Sequence, residues 1–211
     1  MSQYTDKLLK GLADAVDARD TYIGGHSRRV ATYTKRILHA LNITQADTML
    51  IVTAARVHDI GKLYVPDAIL HKAGPLTAEE WETMKAHAAH GAEFLARHAD
   101  FQPYAELVRH HHERIDGKGY PSGLCGDAIP LGARVIAVAD SYDAMTSDRP
   151  YRRGMPPTQA TQILHEGRGT QWDPLIVDAL LQWIANPSER PMITHKRLTP
   201  QWLRRPLNAA L

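Results

Sequence analysis

Apolar side chains recur at every third or fourth position along most of this chain, the period of an amphipathic helix. Leu8, Leu12 and Val16 mark one such stripe, and Val30, Tyr33, Ile37 and Leu41 mark another. No segment alternates apolar and polar residues as a half-buried strand would, so the pattern predicts an all-α protein. The spacing places helices near residues 3–18, 24–41, 45–58, 77–98, 102–112, 131–146, 157–166 and 174–185. Local chemistry supports two of the starts. Thr77 followed by Glu80 has the form of a capping box, and Asp173-Pro174 sets a capping acceptor before a first-turn proline.

Two long connections interrupt the helices. One runs from Ile60 to Leu76 and holds Pro66, Gly74 and Pro75; the other runs from Glu113 to Pro130 and holds Gly117, Gly119, Pro121, Gly123 and Gly126. Loops of this length within a compact domain are usually functional. The 211 residues suit one domain, read here as residues 1–186, followed by a basic, proline-punctuated tail over 187–211. That tail carries Lys196, Arg197, Trp202, Arg204 and Arg205, a basic and aromatic set on which a partner is expected to dock.

Charge and composition narrow the function. The 25 basic and 23 acidic residues leave a net charge of +2, with no broad cationic face for polymeric nucleic acid, although local phosphate sites stay open. The single cysteine, Cys125, excludes an internal disulfide and a thiolate metal cage. No apolar run reaches the length of a membrane span and no secretory signal is visible, so a cytoplasmic protein without a membrane partner is expected. With only a short stretch before His26, no built-in sensor domain is expected.

The informative chemistry lies in nitrogen and oxygen donors. His58-Asp59 follows the apolar run Ile51-Val52-Thr53-Ala54-Ala55, and Asp140 follows Val135-Ile136-Ala137-Val138-Ala139, so both sites aim polar groups into a core. An unpaired carboxylate there would cost on the order of several kcal/mol, and a bound cation would remove that cost. With His26, His87 and the pair His111-His112, the donors suffice for a multinuclear metal centre. His90, three residues after His87, competes with it at this level, while His110 reads as a surface residue. Lys62 stands four residues after His58 and shares its face if the helical turn continues. Asp140 and Asp143, three apart, share a helix face, so one can meet metal while the other orients a ligand or water. Arg149 and Arg152 follow that helix with forked donors suited to phosphate.

Several blocks now stand in order: Gly25-His26-Ser27-x-Arg29-Val30, His58-Asp59-Ile60-Gly61-Lys62, His87, His111-His112-Glu113-Arg114, Asp116-Gly117-x-Gly119-Tyr120-Pro121, Val138-Ala139-Asp140, and Asp143 through Tyr151. On these the chain, from about Leu12 to Leu181, resembles the HD-GYP domain, a subgroup of the HD metal-dependent phosphohydrolases. The resemblance implies a single HD-type helical bundle with long functional loops. It implies His26, His58, Asp59, His87, His111, His112 and Asp140 as metal ligands, favouring His87 over His90. It further implies His58, Asp59 and Lys62 as catalytic residues, Lys62, Arg149, Arg152, Asp143 and Tyr120 as substrate contacts, and Asp20 as a supporting acid.

Two departures matter. Tyr22 stands where members with a third metal carry glutamate, so two divalent ions are expected, iron or manganese by family precedent, with zinc, cobalt and nickel compatible with the donors. Ile115 replaces an aromatic residue and alters the stacking expected on the guanine side. The implied activity is hydrolysis of cyclic di-GMP to linear pGpG, and in some members onward to GMP, by a hydroxide bridging the two ions. One alternative is another nucleotide substrate such as cyclic GMP-AMP. The other is a weakly catalytic signalling adaptor whose Gly119-Tyr120-Pro121 loop contacts a diguanylate cyclase (GGDEF) protein.

Overall fold

A computed structural model describes residues 3–20, 24–148 and 153–186. Tyr22, Arg149, Arg152 and the tail over 187–211 lie outside the described residues. The described chain is all-α: α1 (Gln3–Arg19), α2 (His26–Ala40), α3 (Gln45–Val57), α4 (Asp67–Leu70), α5 (Ala78–Lys85), α6 (His87–Ala96), α7 (Gln102–Arg109), α8 (Leu131–Thr146), α9 (Pro157–Glu166) and α10 (Pro174–Ala185). Short 3₁₀ turns at Ile60–Tyr64 and Gly126–Ala128 punctuate the two long connections. No strand forms among the described residues, which hold one isolated bridge between Arg168 and Trp172. None of the described helices is long and apolar enough to cross a membrane.

Helix α2 lies at the centre, in contact with α1, α3, α8 and α10. Its buried stripe of Val30, Thr34, Ile37 and Leu38 follows the predicted period. Helix α8 is buried almost all round through Val135, Ile136, Ala137, Val138 and Ala139, which is why its sequence shows little amphipathic contrast. On α1 the expected stripe holds at Val16, which is buried, and at Leu12, which packs against the core, but Leu9 and Ala13 enter the core while Leu8 is exposed. Two overlapping i, i+4 sets run along that helix, and packing against α3 and the Ile60–Tyr64 turn selects between them.

Both predicted caps form. Thr77 and Glu80 make a reciprocal capping box at α5, and the Asp173 carboxylate accepts the Leu175 N–H at α10. Two predicted helices, however, are divided or shortened. The segment 77–98 breaks between α5 and α6 immediately before His87, and the segment 102–112 ends at Arg109, leaving His111 and His112 in a turn.

The 3₁₀ turn carrying Gly61 approaches α6 closely. A Cβ on Gly61 would land on the His87 carbonyl oxygen and within 2.5 Å of the Gly91 nitrogen, both backbone atoms that cannot yield locally. Gly61→Ala is therefore expected to lower stability by about 1–3 kcal/mol in urea unfolding, the usual cost of overpacking. Gly74→Ala, where an added Cβ has nothing within 4 Å, serves as the control. Equal unfolding midpoints for the two variants would contradict this packing.

Candidate metal centre

The last carbonyls of a helix have no partner within it, and three helix ends here offer theirs to histidines. The His58 Nδ1 lies 2.8 Å from the Ala55 oxygen at the end of α3, the His87 Nδ1 lies 2.7 Å from the Met84 oxygen at the end of α5, and the His111 Nδ1 lies 2.6 Å from the Val108 oxygen at the end of α7. A carbonyl can only accept, so each Nδ1 carries the proton and each Nε2 presents a lone pair. His26, at the start of α2, is held in the same way by a carboxylate, with its Nδ1 2.7 Å from Asp143 Oδ2.

The Nε2 atoms converge. His26 and His58 are 3.3 Å apart at these nitrogens, and His87 and His111 are 3.4 Å apart. Asp59 stands between the two pairs: its Oδ2 lies 3.4 Å from His58 Nε2 and 3.7 Å from His26 Nε2, while its Oδ1 lies 3.4 Å from His87 Nε2. Asp140 Oδ1 is 3.3 Å from His26 Nε2. The donors form three groups able to hold a cation: His26, His58 and Asp140; His87, His111 and His112; and, between them, His58, Asp59 and His111. Donors placed about 2.1 Å from one ion lie roughly 3.0–3.4 Å from one another at octahedral or tetrahedral angles. The closest separations here fall in that range.

The two outer groups differ electrostatically. Burial opposes a charge on His26, but hydrogen bonds to Asp140 and Asp143 outweigh it and push the imidazole up to about 10. A proton therefore supplies positive charge in that half. Burial drives His112 down to about 3 and His111 well below its ordinary value, and it also lowers His87. With His87 and His111 neutral and both Nδ1 protons committed to carbonyls, their Nε2 lone pairs face each other across 3.4 Å. Two buried acceptors so placed need a cation, and neutral imidazoles are the form that binds one. Burial would raise Asp59 and Asp140, but Lys62 and the nearby histidines in the first case, and chiefly His26 in the second, hold both well below the usual carboxylate range.

Other residues surround this centre. Lys62 Nζ lies 2.8 Å from Asp59 Oδ2 and 3.0 Å from Asp20 Oδ2, so the lysine reaches the centre through the carboxylate and Asp20 holds it from behind. Tyr120 tilts against His112, with ring centres 4.8 Å apart at 30°. Asp143, expected at the substrate, occupies a different place. It is 1% exposed, its Oδ2 meets His26, and the Arg29 guanidinium donates to both its oxygens at 2.6 and 3.1 Å. The i, i+3 spacing from Asp140 brings the two carboxylates to one side of α8, where Asp143 orients an imidazole and leaves the pocket to Asp140. His90 stands beside Tyr64 and outside all three groups.

Several positioning residues were not legible as such in the sequence. Glu113 is buried and accepts the Ser122 and Leu124 N–H groups, tying the glycine-rich loop to the His111-His112 turn. Arg19 donates at 2.6 Å to the carbonyls of both Lys62 and Val65, clamping the 3₁₀ turn. Asp17 accepts from the Ser27 N–H and hydroxyl and so steadies the start of α2 next to His26. Glu113 belonged to the His111-His112-Glu113-Arg114 block without a role of its own, and nothing local marked Arg19.

A family model described as HD domain matches residues 10–176. The chain belongs to the HD domain family. Its relatives place it with the HD-GYP-like members homologous to cyclic-dinucleotide phosphodiesterases. It is 42% identical over 177 residues to the 3'3'-cGAMP-specific phosphodiesterase 3 of Vibrio cholerae, covering 84% of this chain and 38% of that protein. It is 40% identical over 176 residues to the cyclic di-GMP phosphodiesterase response regulator RpfG of Xanthomonas campestris, covering 82% of this chain and 47% of that protein. The chain thus spans less than half of either relative. A crystal structure of a cyclic GMP-AMP-specific phosphodiesterase of V. cholerae matches the fold with a TM-score of 0.66 at 18% identity, covering 86% of this chain and 49% of that one.

The HD domain shown here makes a specific electrostatic prediction for the metal-free protein. Because the His26 pKa is raised on folding, the stabilisation it contributes is complete below about 6.5 and is lost as pH rises through about 10. Asp143→Asn keeps a hydrogen-bond acceptor but removes the charge. It is expected to bring the His26 titration down toward 6.5, read by NMR of the ring protons, and to move the high-pH loss of stability down with it. A His26 titration unchanged in the variant would contradict the coupling.

Proposed function

We propose that this chain is a metal-dependent phosphodiesterase that hydrolyses a cyclic dinucleotide. The observation that carries the reading is the pair of facing Nε2 lone pairs on His87 and His111, adjoining a second donor group through the two oxygens of Asp59. In this reading His26, His58 and Asp140 hold one ion, His87, His111 and His112 hold the other, and Asp59 lies between them. This sulfur-free set of imidazoles and carboxylates admits iron, manganese, zinc, cobalt or nickel, of which the family resemblance favours iron or manganese. The chemistry that a bound divalent pair supplies is Lewis acidity toward water and toward the phosphodiester oxygens.

The chain's own residues supply the remainder. The four Nδ1 hydrogen bonds lock the imidazoles in one orientation, so little rearrangement accompanies the reaction. The Lys62 ammonium, held by Asp20, brings positive charge next to Asp59 and offsets charge that gathers on phosphoryl oxygens. Burial pushes the Tyr120 hydroxyl up, so it stays protonated and able to donate. Its ring is turned inward onto His112, which supports a place at the substrate over a contact with a diguanylate cyclase. Arg149 and Arg152, which lie outside the described residues, are proposed as further phosphate contacts on the family resemblance.

Which bases the substrate carries is the finer question. Relatives at 42% and 37% identity are named for 3'3'-cGAMP, and relatives at 40% and 39% for cyclic di-GMP, so cyclic di-GMP holds no priority over cyclic GMP-AMP. Protein prepared without oxygen and loaded with iron or manganese is expected to cleave a cyclic dinucleotide, with the two substrates in direct competition giving the ratio of kcat/KM. Asp59→Ala is expected to lose turnover by at least a hundredfold and to retain less metal by elemental analysis. Full turnover after exhaustive chelation would overturn the reading.

Loading also has a proton signature. His26 is protonated at neutral pH in the metal-free protein and must be neutral to ligate. Titration calorimetry at pH 7.5 in buffers of different ionisation enthalpy is expected to show release of about one proton from His26, with apparent affinity rising as pH increases toward 10. No net proton release would contradict ligation by His26.

A further inference from the structure

The aromatic series that begins at the metal centre continues past Tyr120 to Trp81, and we infer that Trp81 is the stacking platform for one nucleobase of the substrate. This deepens the phosphodiesterase reading and rests on it.

Helix α5, like the single-turn α4, sits at the margin of the core. None of its residues is fully buried, and its start is held by the Thr77–Glu80 capping box and by a Lys72–Glu80 ion pair in place of core packing. Such a helix is built for what it presents. It presents a tryptophan that is 47% exposed, although an indole gains more from cover than almost any other side chain. Trp81 stands edge to face with Tyr120, with ring centres 6.4 Å apart at 78°, and Tyr120 in turn lies 4.8 Å from His112. Those two ring-to-ring steps put the indole at most about 11 Å from the His112 ring, a span that a phosphate held beside the cluster and its nucleoside can bridge together. A phosphodiester at the histidine cluster therefore has a base within range of the indole.

Lys85, four residues along α5 and on the same face, sets its ammonium 5.8 Å over the Tyr120 ring. This contact ties α5 to the loop that carries Tyr120, so the indole is held in place relative to the metal cluster. A base laid on the exposed part of the indole would gain a π contact without hydrogen-bond selection, because every base has a π face. The platform thus contributes affinity for cyclic di-GMP and cyclic GMP-AMP alike. Choice between them is left to groups that meet the base edges.

The test uses the metal-loaded protein. Trp81→Ala is expected to raise KM for both cyclic dinucleotides roughly tenfold, the scale of one lost base–aromatic stack, with a much smaller change in kcat. Its loss of kcat/KM on bis(p-nitrophenyl) phosphate, which has no nucleobase, should be several-fold smaller than its loss on the dinucleotides. Trp81→Tyr, which keeps a ring, should restore KM while abolishing the quench of indole emission that either dinucleotide produces in the wild type. A wild-type KM in Trp81→Ala, or equal losses on dinucleotide and on bis(p-nitrophenyl) phosphate, would overturn the platform and leave the phosphodiesterase reading standing. Absence of both turnover and quench in the wild type would overturn the two together.

Discussion

The structure depends on where imidazole Nδ1 protons go. Three histidines donate them to carbonyls at helix ends and a fourth to a carboxylate, and this fixes which nitrogen faces inward. Each helix end has carbonyls that its own turns cannot satisfy, and an imidazole three residues on satisfies one of them. The same bond serves helix termination and site construction. It accounts for the break between α5 and α6 and for the early stop of α7, because a His in mid-helix finds the carbonyls already taken. Fixing Nδ1 leaves the Nε2 atoms of distant segments with no choice but to meet.

Charge around the cluster is arranged in layers. Asp59 and Asp140 face the imidazoles directly, while Lys62, Asp20, Asp143 and Arg29 form the next contacts outward. Each carboxylate in the inner layer has a cationic neighbour, which is the condition for keeping it ionised away from water. The half with His26 balances itself with a proton. The half with His87, His111 and His112 has nothing of the kind, since crowding and burial keep those rings neutral. A site with this asymmetry is prepared for cations and is electrostatically incomplete without them.

Two close approaches set the walls. The turn after His58-Asp59 presses on α6 at Gly61, and the loop after His111-His112 folds back on the Glu113 backbone at Gly119, where a Cβ would fall 2.5 Å from the Glu113 Cα. The Glu113 carboxylate completes the second fold by accepting two N–H groups from the same loop. Donor pairs and the loops that follow them are therefore locked as units, so Tyr120 sits against His112.

The sequence by itself determined the all-α class, the caps at Thr77 and Asp173, and the inventory of donors, because periodicity, capping chemistry and residue type are local properties. It also placed Asp140 and Asp143 on one side of a helix, since i, i+3 spacing is geometric. Tertiary structure decided what local pattern leaves degenerate. It chose Leu9 over Leu8 for the α1 core stripe, ended helices at the histidines, and put Asp143 behind His26 instead of in the pocket. Within the ligand set that the family resemblance implied, it decided that His26 adjoins His58 and His87 adjoins His111, because contacts between segments distant in the chain have no signature in either segment. The backbone contacts of Glu113 and Arg19 belong with these, since every residue possesses such groups and no sequence distinguishes them.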